Sequence, residues 1–305
     1  MSVVGFDTSN YTTSIAYYDG VDGVNCSRLL PVKPGELGLR QSDAVFHHTK
    51  SLPELSGRLF SHVEGDIEAV GVSTRPRAVE GSYMPCFMVG YSHAKVLSDA
   101  YRVPLFEVSH QQGHVAASLW SAGRLDLMDK PHLAWHLSGG TTELLLVEPE
   151  GKNVKCSRIG GTTDISAGQL IDRTGVMLGL PFPAGKHLDA LSGEAQGREV
   201  FKVKCPEMEF SLSGVQNKVQ QFHKGDNAET AAYALRCVAY AVRKATENAL
   251  KAYPGLEVVF SGGVASNSML RQLTADLHPI YCAPQYSTDN AMGVAVLTKR
   301  LMEGI

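Results

Sequence analysis

The feature that most constrains how this chain folds is a strand–turn–strand unit that occurs twice, about half a chain apart. The first copy runs from Val3-Val-Gly-Phe through the polar turn Asp7-Thr-Ser-Asn-Tyr-Thr-Thr into Ser14-Ile-Ala-Tyr-Tyr. The second enters through Leu133-Ala-Trp-His-Leu, turns at Ser138-Gly-Gly-Thr-Thr and leaves through Glu143-Leu-Leu-Leu-Val. Each copy reads as a hairpin with a small, hydroxyl-rich turn. Two copies point to an internal duplication, and so to two related halves.

Between and after the hairpins, helical and extended patterns alternate. Apolar residues recur at helical spacing over Ser42 to Val63, Met88 to Tyr101, Ser166 to Leu178, Ala231 to Tyr253 and Met269 to His278. Ile67-Glu-Ala-Val-Gly-Val-Ser, Pro104-Leu-Phe-Glu-Val and Leu256-Glu-Val-Val-Phe read as strands. Strands alternating with helices define an α/β protein. With 305 residues, 44% of them hydrophobic, the chain can bury a large core, and its length suggests two domains or one double domain. No low-complexity linker separates the halves. We place the lobes at 1–108 and 109–305.

Three turns follow strands and are rich in glycine or hydroxyls: Asp7-Thr-Ser9, Ser138-Gly139-Gly140-Thr-Thr and Ser261-Gly262-Gly263-Val-Ala-Ser-Asn267. Phosphates need close approach to backbone N–H donors, which glycine permits. Asn267, at the mouth of a strand–helix turn, has the groups to bond a ribose or base edge. Three such turns in this order match the actin-like ATPase pattern, in which two related halves clamp a nucleotide. Competing phosphate motifs fail. No Gly-x-Gly-x-x-Gly follows a strand. The run Gly179 to Lys186 has one residue too many for a P-loop, with His187 where Ser or Thr belongs.

The run Ser109-His-Gln-Gln-Gly-His-Val-Ala-Ala-Ser-Leu-Trp begins with a natural N-cap. On a helix, His110 and His114 share one face, about 6 Å apart at Cβ, the spacing at which two imidazoles grip one metal ion. Two surface histidines on one helix are the alternative. Asp289, in Ser287-Thr-Asp-Asn-Ala-Met, is the candidate carboxylate to complete such a site, or an N-cap. His136 stands at the end of a strand entering Ser138-Gly-Gly, as a ligand or a satisfied core histidine. Asp172 is a helix-surface acid or a nucleotide-site residue. Arg75 and Arg77 form either a phosphate contact or a solvated turn. His47, His48, His62, His93, His132, His223 and His278 lack metal-like spacing and read as surface or core.

The six cysteines are scattered with no Cys-x-x-Cys pair, which argues against a zinc ribbon and suits reduced cytosolic thiols. The net charge of −3 gives no general pull toward nucleic acid, so a nucleic-acid partner needs a local basic patch. The N-terminus lacks the pattern of a secretion signal, and no run is long enough to span a bilayer. The reading is a soluble cytoplasmic protein without a membrane partner.

Together these segments resemble the Kae1/TsaD family, once labelled the M22 glycoprotease family. The resemblance is carried by Asp7-Thr-Ser, Gly38-Leu-Arg-Gln-Ser-Asp-Ala, His110-x-x-x-His114, Ser138-Gly-Gly-Thr-Thr and Gly168-Gln-Leu-Ile-Asp172-Arg. It continues through Leu178-Gly-Leu-Pro-Phe-Pro-Ala-Gly185, Phe210-Ser-Leu-Ser-Gly, Gly262-Gly-Val-Ala-Ser-Asn267 and Thr288-Asp289-Asn-Ala. It implies the duplicated two-lobe actin-like ATPase fold (ASKHA, ribonuclease H-like). It also implies one divalent metal, iron or zinc, on His110, His114 and Asp289, with His136 in the position of a fourth ligand. ATP, AMP or an acyl-adenylate would lie along His136, Leu137, Ser138, Gly139 and Gly140. Asp7, Ser9, Asp172, Gly185, Asp189, Gly262, Gly263 and Asn267 would be further contacts.

Family members transfer a threonylcarbamoyl group from its adenylate to N6 of adenosine-37 in tRNA. They work with a smaller paralogous subunit and an ATPase subunit; a homodimer is the alternative assembly. Departures at Thr74-Arg-Pro-Arg, Ser-Gly-Gly-Thr-Thr-Glu, Ile171-Asp-Arg173 and Pro183-Ala-Gly are those of a diverged bacterial paralog. Two other readings follow. One is a carbamoyl or phosphoryl transferase acting on something other than tRNA. The other is a non-catalytic dimerisation scaffold of the same fold. A protease is not supported, because there is no His-Glu-x-x-His.

Overall fold

The computed structural model describes residues 2–9, 11–31, 39–63, 65–286 and 291–304. The chain divides into two compact units, Met1–Lys130 with Glu148–Cys156 and Gln285–Ile305, and Pro131–Val147 with Ser157–Pro284.

The sheet of the first unit contains β1 (Ser2–Thr8), β2 (Thr12–Tyr18), β3 (Gly23–Leu29), β4 (Ile67–Arg75) and β5 (Leu105–Ser109), in the order β3-β2-β1-β4-β5. The first hairpin is β1 antiparallel to β2, with Asp7 opposite Ser14. β1 runs parallel to β4, and β4 parallel to β5. Every residue of β1 is buried, as expected of a strand covered on both faces. The helices α1 (Gln41–Phe60) and α2 (Phe87–Tyr101) cover one face, where Leu52, Leu55, Leu59 and Val89 pack on Val4, Phe6, Val70 and Val72. The other face carries Gly5 and Gly71, paired across β1 and β4. A Cβ on either would collide with residues of α9 (Met292–Met302), so the glycine pair lets that helix lie on the sheet.

The second unit repeats the plan. Its sheet contains β6 (His132–Leu137), β7 (Thr142–Glu150), β8 (Asn153–Thr162), β9 (Glu209–Phe210), β10 (Val258–Ser261) and β11 (Ile280–Tyr281), ordered β11-β10-β6-β7-β8-β9, with the Glu148–Cys156 tip of β7 and β8 counted in the first unit. Apart from β9, added beyond β8, this is the same third–second–first–fourth–fifth order as in the first unit. β6 is antiparallel to β7 and parallel to β10, and β10 is parallel to β11. The duplication expected from the two hairpins is therefore a duplication of whole sheets. The long helix α7 (Asn227–Ala252) buries an alanine-rich face, and α4 (Ala167–Met177), α5 (Gly185–Ser192) and α6 (Ser213–Phe222) contribute to the same core. Trp135 is fully buried there, its indole N–H donating to Thr246 Oγ1 at 2.8 Å.

The remaining helices are α3 (His110–Ser121) and α8 (Ser268–Thr274). α3 belongs to the first unit, where α9 crosses it so closely that a Cβ on Gly293 would meet the carbonyl of Gly113. The sequence division at 108/109 sets α3 with the second lobe; the packing of α3 on α9 sets it, and the chain's last segment, with the first. Helix limits shift for local reasons. α7 starts at Asn227 because Asp226 caps it, accepting from Glu229 N at 3.0 Å. α8 stops at Thr274 and passes into a short 3-10 turn, Ala275–Leu277. No helix of the described residues is long and apolar enough to cross a membrane.

Candidate functional site

In the first unit the three parallel strands β1, β4 and β5 end side by side, and each delivers a polar residue at its carboxyl end: Asp7, Ser73 and, just after β5, His110. In open α/β sheets this is the edge where ligands bind. A capping box fixes the start of α3. Ser109 Oγ accepts from Gln112 N at 3.2 Å, and Gln112 Oε1 accepts from Ser109 N at 2.9 Å. Gln112 Nε2 also donates to Val154 O at 2.8 Å. His110 and His114, one turn apart, bring their Nε2 atoms to 2.9 Å, with ring planes at 79°.

His110 Nδ1 lies 3.0 Å from Asp7 Oδ2 and 3.2 Å from Oδ1. Ser73 Oγ donates to Asp7 Oδ1. The Asp7 side chain is 1% exposed and that of His110 18%. A carboxylate oxygen accepts, so His110 carries a proton on Nδ1, and Nε2 is the ring nitrogen turned to His114. The rings of Phe87 and His110 are inclined at 61°, with centroids 6.1 Å apart. Burial, with a smaller contribution from the charge of Asp7, pushes the Cys86 thiol up to about 11. Cys86 is thus a thiol at neutral pH.

Two imidazole nitrogens each about 2.1 Å from one metal lie about 3.0 Å apart in octahedral and about 3.4 Å apart in tetrahedral coordination, so the Nε2 pair at 2.9 Å has a spacing close to the octahedral one. Asp289 lies outside the described residues. Among the described residues no group of three or more His, Cys, Asp or Glu gathers as a metal site. His136 belongs to the second unit, on β6 opposite Glu143 and Ser261. Ser9, two residues beyond Asp7, is 3% exposed, and its hydroxyl has no hydrogen-bond partner among the described residues.

In the second unit the expected phosphate turns assemble. Ser138 N donates to Thr141 O at 2.8 Å, and Thr141 N to Ser138 Oγ at 3.1 Å, closing the turn. Ser166, the N-cap of α4, donates from Oγ to Gly139 O at 2.6 Å. Gly168 approaches so closely that a Cβ there would strike the backbone of Ser138 and Gly139. The helix start is thereby pressed against the turn, and its positive end favours an anion. Gly262, at φ +92°, packs its α-carbon on the backbone of Leu137, where any Cβ would collide. A Cβ on Gly139, Gly140 or Gly263 would meet only open space. Leu137, Ser138, Gly139, Gly140, Gly262 and Gly263 are therefore brought together at the carboxyl ends of β6 and β10, with the last residues of the turns facing outward.

Other expected contacts are engaged within the protein. Asp189 accepts from Asn267 Nδ2 at 2.8 Å, Ser268 Oγ at 2.7 Å and Ser268 N at 3.1 Å. Asn267 Oδ1 caps α8 by accepting from Leu270 N at 3.0 Å. The two residues clasp the start of α8, leaving Asn267 only one amide hydrogen to offer a ligand. Asp172 accepts from Ala184 N at 2.8 Å, which secures the loop before Gly185, and burial raises its carboxyl above the usual range. Two structural participants escaped the sequence reading. Ser73 is signalled only as the polar end of an apolar strand. Asp164 accepts from the hydroxyls of Ser211 and Ser213 and from Leu212 N, fixing the Phe210-Ser-Leu-Ser-Gly turn. Partial burial opposes its charge, but those donors hold its carboxyl far below the usual range.

The sequence profile described as TsaD, tRNA N6-adenosine threonylcarbamoyltransferase, matches residues 37–296. A tRNA N6-adenosine threonylcarbamoyltransferase of Persephonella marina is 31% identical, over 97% of this chain and 88% of its own. One of Streptococcus suis is 33% identical over 76% and 70%, and one of Archaeoglobus fulgidus 29% over 90% and 81%. Among solved structures, HypF of T. kodakarensis shares the fold with a TM-score of 0.66 at 13% identity, over 99% of this chain and 48% of that one. A ROK hexokinase of Thermus thermophilus gives 0.55 at 14% identity, over 99% of each chain. The fold is the actin-like ATPase fold, in agreement with the strand order used twice.

Proposed function

The chain belongs to the TsaD family of acyl-type, tRNA-modifying transferases, and from that premise we propose that it transfers a threonylcarbamoyl group from its adenylate to N6 of an adenosine in tRNA. The observation that carries the proposal is the pair of His110 and His114, whose Nε2 atoms face each other at 2.9 Å. A scaffold has no evident use for two histidines held by a capping box and a buried carboxylate.

His110 and His114, with Asp289, would hold one divalent ion, iron or zinc, and a bound ion supplies Lewis acidity for a carbonyl or phosphate oxygen. The protein's own part is binding and orientation. The amides of Gly139, Gly140 and Gly263 would hold the phosphate of an acyl-adenylate, and later of AMP; open space around these glycines supports the reading. The start of α4 adds its positive end to that turn. The amine of adenosine N6 attacks the carbamoyl carbonyl. The bond from that carbon to the phosphate oxygen breaks, AMP leaves, and the amine loses one proton. Much of the acceleration would come from holding the reactants in register.

The test is a transfer assay with the purified protein, metal, the adenylate and unmodified tRNA, read as modified nucleoside by mass spectrometry after digestion. Release of AMP with one modified adenosine per tRNA is the expected result. Binding of nucleotide and metal without tRNA binding at low salt, where phosphate contacts are strongest, would move the assignment to a non-tRNA acceptor. Absence of both ligands would leave a scaffold.

A further inference from the structure

We propose that Asp7 is a positioning residue for the metal centre: held by Ser73, it fixes His110 so that Nε2, not Nδ1, is the donor to the ion. This rests on the reading that the histidine pair binds a divalent metal. It changes the role expected for Asp7, from a nucleotide contact to the outer partner of a metal-binding imidazole.

Three observations carry it. First, Asp7 is a carboxylate with no exposed surface to offer a ligand, since its side chain is 1% exposed. Both oxygens are turned inward, onto His110 Nδ1 and Ser73 Oγ. A nucleotide contact needs an accessible oxygen. Second, burying a carboxylate is costly unless charge-assisted hydrogen bonds offset the loss of water. His110 Nδ1–H and the Ser73 hydroxyl are the donors that do so. Third, the backbone of Asp7 is held by the sheet. Asp7 pairs with Ser14 of β2, whose Oγ donates to Asp7 O at 3.2 Å, and the preceding residue, Phe6, pairs with Val72 of β4. The acceptor is thus fixed by the sheet, and the imidazole orients to it. Metal-binding histidines commonly give their second N–H to a carboxylate, which sets tautomer and ring orientation and raises ligand basicity.

The experiment is a cobalt(II) titration of the full chain, with and without a competing chelator, on wild type, Asp7→Asn and Ser73→Ala. Affinity and the ligand-field absorption of bound cobalt are the readouts, and near-ultraviolet circular dichroism checks the fold. Asp7→Asn keeps the shape of the side chain and removes its charge. It is expected to weaken cobalt binding about 10- to 100-fold and to shift the absorption band. Ser73→Ala, which loosens Asp7 without touching His110, is expected to weaken binding by a smaller factor with the band shifted the same way. A purely structural Asp7 would lower thermal stability and leave the affinity of the folded protein unchanged. If wild type binds cobalt and both folded variants match it in affinity and spectrum, the inference is overturned. Should Asp7→Asn not fold, an unchanged Ser73→Ala protein overturns it alone. A wild type that binds neither cobalt nor zinc rejects instead the metal reading beneath it.

Discussion

Residues at the carboxyl end of the first sheet act through what their neighbours leave them free to do. His110 gives Nδ1 to Asp7, and its Nε2 and that of His114 are close enough to share a proton or a cation. Replacing either by alanine removes half of the donor pair. His110→Ala and His114→Ala are each expected to lose the stoichiometric metal and to cut turnover at least about 100-fold, measured by elemental analysis and by the transfer assay. Retention of full turnover by both would remove the metal from the mechanism. A second residue-scale effect concerns His48, which is fully buried with Nδ1 on Thr13 Oγ1 at 2.8 Å. Burial pushes its imidazole down from 6.5 to about 4, against smaller upward pulls from Asp7 and the Ser9 backbone. The unfolded chain takes up a proton near 6.5 and the folded chain only near 4. The stabilisation is therefore complete above about pH 6.5 and is lost as pH falls toward 4, by roughly 3 kcal/mol in all. Urea unfolding at about pH 7.5 and about pH 4.5 should show that loss in wild type and much less of it in His48→Gln. An equal loss in the variant assigns it to other groups.

Elements meet where glycine lets backbones approach. α9 lies on the first sheet over Gly5 and Gly71 and crosses α3 at Gly293 and Gly113. The obstacle to a methyl group at Gly293 is backbone, which cannot swing aside. Gly293→Ala is thus expected to destabilise by about 3 kcal/mol, seen as a lower urea midpoint at unchanged slope. In the second unit, Gly262 combines φ +92° with contact on the Leu137 backbone. Gly262→Ala should displace the turn formed by Ser138 to Gly140 and weaken ATP and AMP binding at least about 10-fold by calorimetric titration, more than it lowers the melting temperature in proportion. A variant that binds nucleotide normally would separate that turn from the ligand. These crossings were illegible in the sequence, because a glycine inside a strand or helix does not say which backbone comes near it. By contrast, the capping box of α3 was legible at its Ser109, since a cap is local chemistry.

At the scale of the whole molecule, two sheets of the same strand order are each filled by their own core. Among the described residues neither core gathers three metal-binding side chains, and α3 is fixed by its cap, by Val154 and by α9. Chelation is therefore expected to abolish turnover while lowering the melting temperature by no more than a few degrees, with activity restored by added zinc or iron(II); collective unfolding on chelation would make the ion structural instead. The sequence by itself determined what is local or periodic. It determined the two hairpins, the α/β alternation, the helix that pairs His110 with His114, and the glycine turns, because hydrophobic period, capping and turn chemistry act between near neighbours. Only the tertiary structure decided the partners. It gave α3 to the first unit, turned Asp7 inward onto His110 and Ser73, spent Asn267 and Asp189 on each other, and set Asp164 to hold a turn nearly fifty residues away. The reason is that a buried polar group takes the partner the fold brings within hydrogen-bond reach, and register, helix crossing and burial set that partner at distances the linear pattern does not encode.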